Sequence, residues 1–388
     1  MDLSRSGTLS RSSDVGGGTS PFRLLGLVDP ILLVTSLALT AFGVFAVYVA
    51  GSEDGEFYAI NQVLGFLVGL VGAVPLALTD YRQLKRYLPI IYSSALFMLL
   101  MVAITGISAK GGQRWIDIGP IQFQPSEFAK LLVVVVLAGY FADNRLSDDK
   151  TFLKSVGIVA LPALFVFAQP DLGTALVFAA TFMAMAFVGG AKLYQLGLLA
   201  VSGAASFALA IWFGILEEYQ IARLTAFLDP VAAGTTGEGY QVFQSKIAIG
   251  SGGLTGKGLD AVTLANLGFL PEDHTDFIFS ALAERVGFVG GALLIGLFFV
   301  LVWRMLHVAT IARDRFGVLI AVGIATIFLF HVFVNIGMTV GLMPVTGIPL
   351  PFISYGRSSL VVSVIALGLL QSIVMRAKSE GLKEATPR

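Results

Sequence analysis

The chain has 388 residues, of which 56% are hydrophobic and 13% charged, and its mean hydropathy is +0.85. A soluble domain needs far more polar surface than that, so the composition points to the bilayer as solvent. A formal net charge of zero offers nucleic acid no basic face, and the absence of cysteine excludes disulfides and thiolate metal sites.

Residues 1–27 are rich in Ser and Gly with scattered Arg and no apolar core. They read as a disordered cytoplasmic tail rather than a signal peptide. From Pro30 on, apolar runs long enough to span follow one another. Ten are predicted, at roughly 29–50, 58–79, 86–107, 125–142, 154–169, 172–190, 194–216, 277–303, 317–340 and 355–375. The fifth and sixth are separated only by the turn Gln169-Pro170-Asp171-Leu172-Gly173.

With the N-terminus inside, most of the 25 Lys and Arg residues fall in cytoplasmic segments, the bias that sets orientation in membrane proteins. The outer loops keep Lys110, Arg114, Arg223, Lys246 and Lys257. The expected fold is all-α: a polytopic integral membrane protein of about ten transmembrane helices over residues 28–376. Both termini are expected in the cytoplasm, with a short tail at 377–388. A long extracytoplasmic loop, residues 217–276, joins spans seven and eight, and loops of that length usually carry function.

The residues able to carry chemistry cluster at the outer ends of the spans. Ser126 suits the N-cap of span four. Glu127 and Lys130, three apart, share a face just inside the membrane, either as a self-balancing snorkelled pair or as a functional one. Trp115 suits an interfacial belt or a substrate-stacking role. Gly250 to Gly258 fails as a nucleotide P-loop, because Ser251 replaces the first glycine and Gly258 follows Lys257. The segment could cradle a diphosphate through backbone N–H groups or be a plain flexible loop.

Glu272-Asp273-His274-Thr275-Asp276 stands directly before an apolar run. Thr275 or Asp276 could serve as an N-cap. On the functional reading, Asp276 sits at the lipid–water boundary as a general base, its pKa raised by partial desolvation. Glu284, further down the same span, calls for a cationic partner. His331 and Asn335, four apart, read as helix–helix hydrogen bonds. The three histidines show no metal-ligand spacing.

These motifs together resemble the SEDS family. The likeness lies in Arg114-Trp115-Ile116, Gln124 to Lys130, Gln169 to Thr174, Arg223 to Pro230, Gln244 to Gly250, Pro271 to Phe279 and Gly341 to Gly356. It runs from about residue 28 to 376 and leans toward the elongation branch, RodA, over the division branch, FtsW. Two positions depart from the family pattern. Arg285 follows Glu284 where a second acid is usual, and Arg357 follows Ser354-Tyr355-Gly356 where a second glycine is usual.

The resemblance implies a peptidoglycan glycosyltransferase that polymerises lipid II at the outer face of the bacterial cytoplasmic membrane during elongation. Its implied partners are a class B penicillin-binding protein and other elongation-complex proteins. A sugar hydroxyl would attack an anomeric carbon while undecaprenyl diphosphate leaves, an inversion that needs one base and a stabilised leaving group. Asp276 is the expected base. Arg114, Lys130, Arg223, Lys246 and Lys257 are candidate cations for the diphosphate, and Trp115, Glu127, His274 and Thr275 candidate substrate contacts. No cofactor or metal site is expected, although a divalent cation could assist at the diphosphate. The alternative is a lipid II flippase, which needs ionisable groups at mid-membrane, where the spans hold mainly Glu284, Arg285 and His331. A scaffold for wall synthesis is the third reading.

Overall fold

The computed structural model describes residues 26–385 apart from 52–53, 110–111, 119–120, 229–236, 259–260, 262, 265–266 and 271. Most of the expected N-terminal tail, Lys110, Asp229, Pro230 and Pro271 therefore lie outside the described residues.

The chain forms α1 (Pro30–Ala50), α2 (Gly55–Leu78), a 3-10 turn (Tyr81–Tyr87) running into α3 (Leu88–Thr105), α4 (Pro125–Asp143), α5 (Asp149–Ala168) and α6 (Leu172–Val188). After these come α7 (Leu193–Trp212), α8 (Glu218–Leu228), α9 (Glu238–Ser251), α10 (Ile278–Ile311), α11 (Arg315–Thr339) and α12 (Arg357–Ala385). Among the described residues nine helices are long and apolar enough to cross a membrane, and α6 is a shorter apolar helix. The protein is thus a polytopic α-helical membrane protein, each predicted span having its helix. Between α3 and α4 lies a small antiparallel sheet, β1 (Ile107–Ala109), β2 (Gly112–Ile118) and β3 (Ile121–Phe123), in the order β1-β2-β3.

Local chemistry explains many helix starts. Asp29, Asp148, Asp171 and Asp314 each accept a backbone N–H from the first turn of α1, α5, α6 and α11, satisfying donors that a helix leaves unpaired. Ser126 does not act this way. Pro125 takes the first helical position of α4, so Ser126 falls inside the helix, and the Gln124 N–H donates to Ser358 Oγ at 3.0 Å instead.

Lipid offers helices no hydrophobic drive to associate, so close approach of backbones matters. Gly65, Gly69 and Ala73 recur every four residues on α2 and meet α12. A Cβ on Gly69 would come 2.8 Å from Val364 Cβ, and one on Gly368 2.5 Å from the Ala73 carbonyl.

Two departures from regular spans build the end of the bundle that bears the long loop. The predicted eighth span is α10, 34 residues long and interrupted at Gly287, where φ is 69° and ψ −169°. Residues before the break form a half-helix. Residues after it form the span. The second departure is the stretch 341–356, which returns into the bundle without helical structure before α12 begins. Its Val345, Ile348, Leu350, Phe352 and Ile353 are all buried. The loop 217–276 itself carries the helices α8 and α9.

Candidate active site

Non-helical backbone at membrane depth must find partners inside the protein. The re-entrant stretch finds them in polar side chains of the surrounding helices. Gln62 Nε2 on α2 donates to the carbonyls of Phe352 and Ser354, both at 3.2 Å. Asn335 Nδ2 on α11 donates to Ile348 O at 2.8 Å. His331 Nδ1, one turn earlier, lies 3.0 Å from Pro349 O. These polar residues in apolar helices hold the re-entrant backbone. His331 and Asn335 therefore serve a backbone as well as helix contact.

The same stretch, together with Asn335 of α11, clamps the segment that carries Asp276. Tyr355 N donates to His274 O at 2.9 Å, Ser354 Oγ to Thr275 O at 2.7 Å and Asn335 Nδ2 to Asp276 O at 3.2 Å. Three consecutive carbonyls are thus fixed from one side. Neither Thr275 nor Asp276 caps α10. The cap position is Phe277, without a side-chain bond, because the Thr275 hydroxyl is committed backwards to Glu272 Oε2 at 2.7 Å. Glu272 and Phe352 adopt φ of 58° and 67°, left-handed conformations that cost about 1–3 kcal/mol for such residues. Both lie in the two clamped segments, so the strain is held by the clamp.

Asp276 and Arg223 converge on Gly347. A Cβ at Gly347 would lie 3.6 Å from Asp276 Oδ2 and 3.7 Å from Arg223 Nη1. Asp276 and Arg223 are half-buried. The Arg223 guanidinium lies over the Tyr219 ring, 5.3 Å from its centroid, a cation–π arrangement. Tyr219 is fixed in turn: its hydroxyl donates to Pro170 O and accepts from Arg114 Nη2 at 2.9 Å. Arg114 also donates to the carbonyls of Gln169 and Pro170 and stands 3.9 Å from Asp171 Oδ1. Arg114 thus braces the turn between α5 and α6 and the base of α8. A cavity of about 220 Å³ lies between this turn, Phe207 of α7, Tyr219 and Arg223 of α8, and Pro344–Thr346.

The other predicted residues are dispersed around this centre. Lys246 on α9 packs over Gly341, where a Cβ would meet its Nζ at 2.3 Å, and lines a small pocket with Arg223 and Val345. Lys257 pairs with the fully buried Glu284 at 2.6 Å, so the partner that Glu284 requires comes from the glycine-rich loop. That loop docks on the break in α10: Gly258 N donates to Arg285 O at 3.1 Å and Phe288 N to Gly253 O at 2.9 Å. Lys257 N also donates to Glu284 O at 3.0 Å, so two of its backbone donors are engaged with α10.

Glu127 and Lys130 pair at 2.7 Å beneath the re-entrant stretch, both almost fully buried, and Lys130 Nζ also reaches His331 Nε2 at 2.9 Å. They join the site through His331, not through Asp276. His274 stacks on Tyr58 at 4.5 Å with planes 8° apart, near Tyr355, and its Nδ1 lies 3.0 Å from Asp273 Oδ1. Trp115 is half-buried on β2 beside Arg114, where alternation along a strand points the two to opposite faces. Of the two departures from family pattern, Arg285 Nη1 donates to Ala261 O at 3.4 Å and Arg357 Nη2 to Asn61 Oδ1 at 2.7 Å.

Sequence reasoning missed Gln62, Tyr219 and Gly347. The adjacent amides Asn61 and Gln62 inside the apolar run of α2 were the available signal, since polar groups at that depth need partners. Among the described residues no three His, Cys, Asp or Glu side chains form a metal-holding group.

The cell cycle protein family that groups FtsW, RodA and SpoVE matches residues 29–379. Peptidoglycan glycosyltransferase MrdB of Escherichia coli (strain K12) is 39% identical over 351 residues, which are 89% of this chain and 93% of MrdB. Among solved structures, a chain from a study of the coordination of polymerization and crosslinking by a peptidoglycan synthase complex aligns with TM-score 0.76 and 28% identity, covering 90% of this chain and 98% of that one. The rod shape determining protein RodA of Thermus thermophilus aligns with TM-score 0.68 and 28% identity, covering 89% and 96%.

Proposed function

The chain belongs to the cell cycle protein family of FtsW, RodA and SpoVE and is a peptidoglycan glycosyltransferase; we propose that it polymerises lipid II with Asp276 as general base. The observation that carries this reading is the convergence of Asp276 and Arg223 on Gly347. A carboxylate and a guanidinium beside one patch of bare backbone supply the two things the reaction needs. The acceptor hydroxyl gives its proton to Asp276 as its oxygen bonds the anomeric carbon. The bond from that carbon to the diphosphate breaks on the opposite face, and the departing electron pair stays on the diphosphate, inverting the centre.

Arg223 offsets the charge that builds on the leaving group. One such contact is worth about 2–4 kcal/mol in the transition state, by comparison with the loss of one oxyanion donor. Arg114 acts through Tyr219 to hold Arg223, and Glu127 with Lys130 acts through His331 to hold the re-entrant stretch. His274, Thr275 and Trp115 line the approach for the sugars. The reaction needs no cofactor. A divalent cation could assist at the diphosphate.

The membrane in question is the bacterial cytoplasmic membrane, with both termini inside and Asp276 outside, as the Lys and Arg bias favours. The structural likeness to a chain of a peptidoglycan synthase complex supports a class B penicillin-binding protein as partner in an elongation complex. The test is a gel assay with labelled lipid II and the purified chain with its partner. Wild type is expected to make polymer, and Asp276→Asn, folded and still binding lipid II, to make none. Equal polymer from both would remove Asp276 as base.

A further inference from the structure

A polymerase that joins two lipid-linked sugars holds two prenyl diphosphates, and the reading above uses only one, the leaving group at Arg223. The acceptor keeps its diphosphate, one disaccharide away from the attacking hydroxyl, and that charge needs a cation other than Arg223. At this end of the bundle the basic side chains are largely committed: Arg114 to carbonyls, Lys257 to Glu284, Lys130 to Glu127. Lys246 differs. It is exposed, and among the described residues it has no hydrogen-bond or ion-pair partner. It packs at Gly341, six residues before the glycine on which Asp276 and Arg223 converge, and shares a pocket with Arg223.

One turn beyond Lys246 on α9, an apolar groove of about 590 Å³ opens between α9 and α10. Gly253, Gly287 and Gly291 leave its floor without side chains, and Ile249, Phe288 and Ile295 form its walls. Val340, next to the glycine under Lys246, closes the near end. The groove follows the first turns of the span after the break in α10, so it opens where a lipid chain can enter. A single groove beside a single cation fits a one-chain lipid phosphate. A two-chain phospholipid would need a second path for its other chain.

We propose that Lys246 and the groove between α9 and α10 bind the prenyl diphosphate of the acceptor, the lipid-linked monomer, as a second lipid site adjoining Arg223. The proposal rests on the reading of the chain as a lipid II polymerase with Asp276 as base.

Two measurements on the full chain with its penicillin-binding partner test it. In the first, the polymerisation rate is followed against lipid II concentration. Lys246→Ala and Ala292→Trp, the latter placed on the exposed groove wall, are each expected to raise the half-saturating concentration about tenfold. The maximal rate falls less. Arg223→Ala is expected to lower the maximal rate instead. Unchanged half-saturation in both groove variants overturns the proposal.

The second measurement reads binding without turnover. Undecaprenyl diphosphate with a photoreactive prenyl end is added to the Asp276→Asn chain. Labelling at Phe288 and Ile295, competed by lipid II and about tenfold weaker in Lys246→Ala, supports the site. Competition by phosphatidylglycerol alone, or no labelling because a phospholipid or a partner's membrane helix fills the groove, overturns it. A wild type that makes no polymer defeats the polymerase reading, and the labelling still decides the groove.

Discussion

Lys130 of α4 and His331 of α11 stand 2.9 Å apart, nitrogen to nitrogen, with Glu127 2.7 Å from the same ammonium. His331 Nδ1 faces only a carbonyl, Pro349 O, so it carries the proton and leaves Nε2 to accept from Lys130. The buried charge pair is therefore tied to the backbone that shapes the site. Lys130→Met strands Glu127, whose side chain is 4% exposed, and is expected to cost about 3–5 kcal/mol. Adding Glu127→Gln should recover part of that loss, because no uncompensated charge remains. Unfolding of the purified variants in detergent measures both. A double variant no more stable than Lys130→Met would show that the pair is not the source.

The break in α10 makes a different demand. A Cβ on Gly287 would lie 2.2 Å from Gly256 N, and one on Gly256 would lie 2.0 Å from Arg285 O, with both residues at positive φ. Gly287→Ala should destabilise by about 1–3 kcal/mol from backbone strain alone, and more as the loop bearing Lys257 shifts. Gly296 on the same helix has open space around it. Gly296→Ala is expected to be neutral or to stabilise by up to about 1 kcal/mol. Equal melting shifts for the two would count against the loop docking.

The number of spans was legible because length and hydropathy decide it, and residues such as Asp29, Asp171 and Asp314 mark helix starts by their capping chemistry. What the sequence concealed was depth and pairing. Residues 341–354 fall between the ninth and tenth predicted spans, yet Phe352 is 1% exposed, because Gln62, His331 and Asn335 supply the partners that water would otherwise give. Each of those three is distant in sequence from most of the carbonyls it serves, so no local pattern reveals it. Arg114 and Lys257 looked alike as outer cations. Only the fold shows that Arg114 serves protein carbonyls and that Lys257 serves Glu284. Asp276 stands out as a candidate from its place before an apolar run, whereas its proximity to Gly347 is a tertiary relation.

Acid should expose the loop between α10 and α11. Burial alone would raise the Asp314 carboxyl, but bonds from the Tyr81 hydroxyl, the Gly317 N–H and the Arg82 guanidinium outweigh it and hold the group below its ordinary value of 3.8. A depressed carboxylate contributes stability that is fully present above the unfolded value and is lost as pH falls through the folded one. Wild type should therefore lose stability below pH 3.8 more steeply than Asp314→Asn. The variant should be the weaker of the two near neutrality. Parallel acid limbs in unfolding scans would sink the assignment.

Arg114 separates support from chemistry. Its guanidinium bonds Gln169 O, Pro170 O and the Tyr219 hydroxyl, and Tyr219 carries Arg223 on its ring. A lysine keeps the charge but has no planar fork to reach several acceptors at once. Arg114→Lys should therefore let Tyr219 and Arg223 drift, and a displacement near 1 Å at a reacting group can cost about a hundredfold in rate. The loss is expected in kcat, with KM for lipid II little changed, since Arg114 binds protein carbonyls. Tyr219→Phe keeps the ring under Arg223 and loses only the hydroxyl bonds, so it should retain more activity than Tyr219→Leu. Arg114→Lys with wild-type kcat, or with its whole defect in KM, would mean that Arg114 contacts the diphosphate directly and that Arg223 does not depend on it.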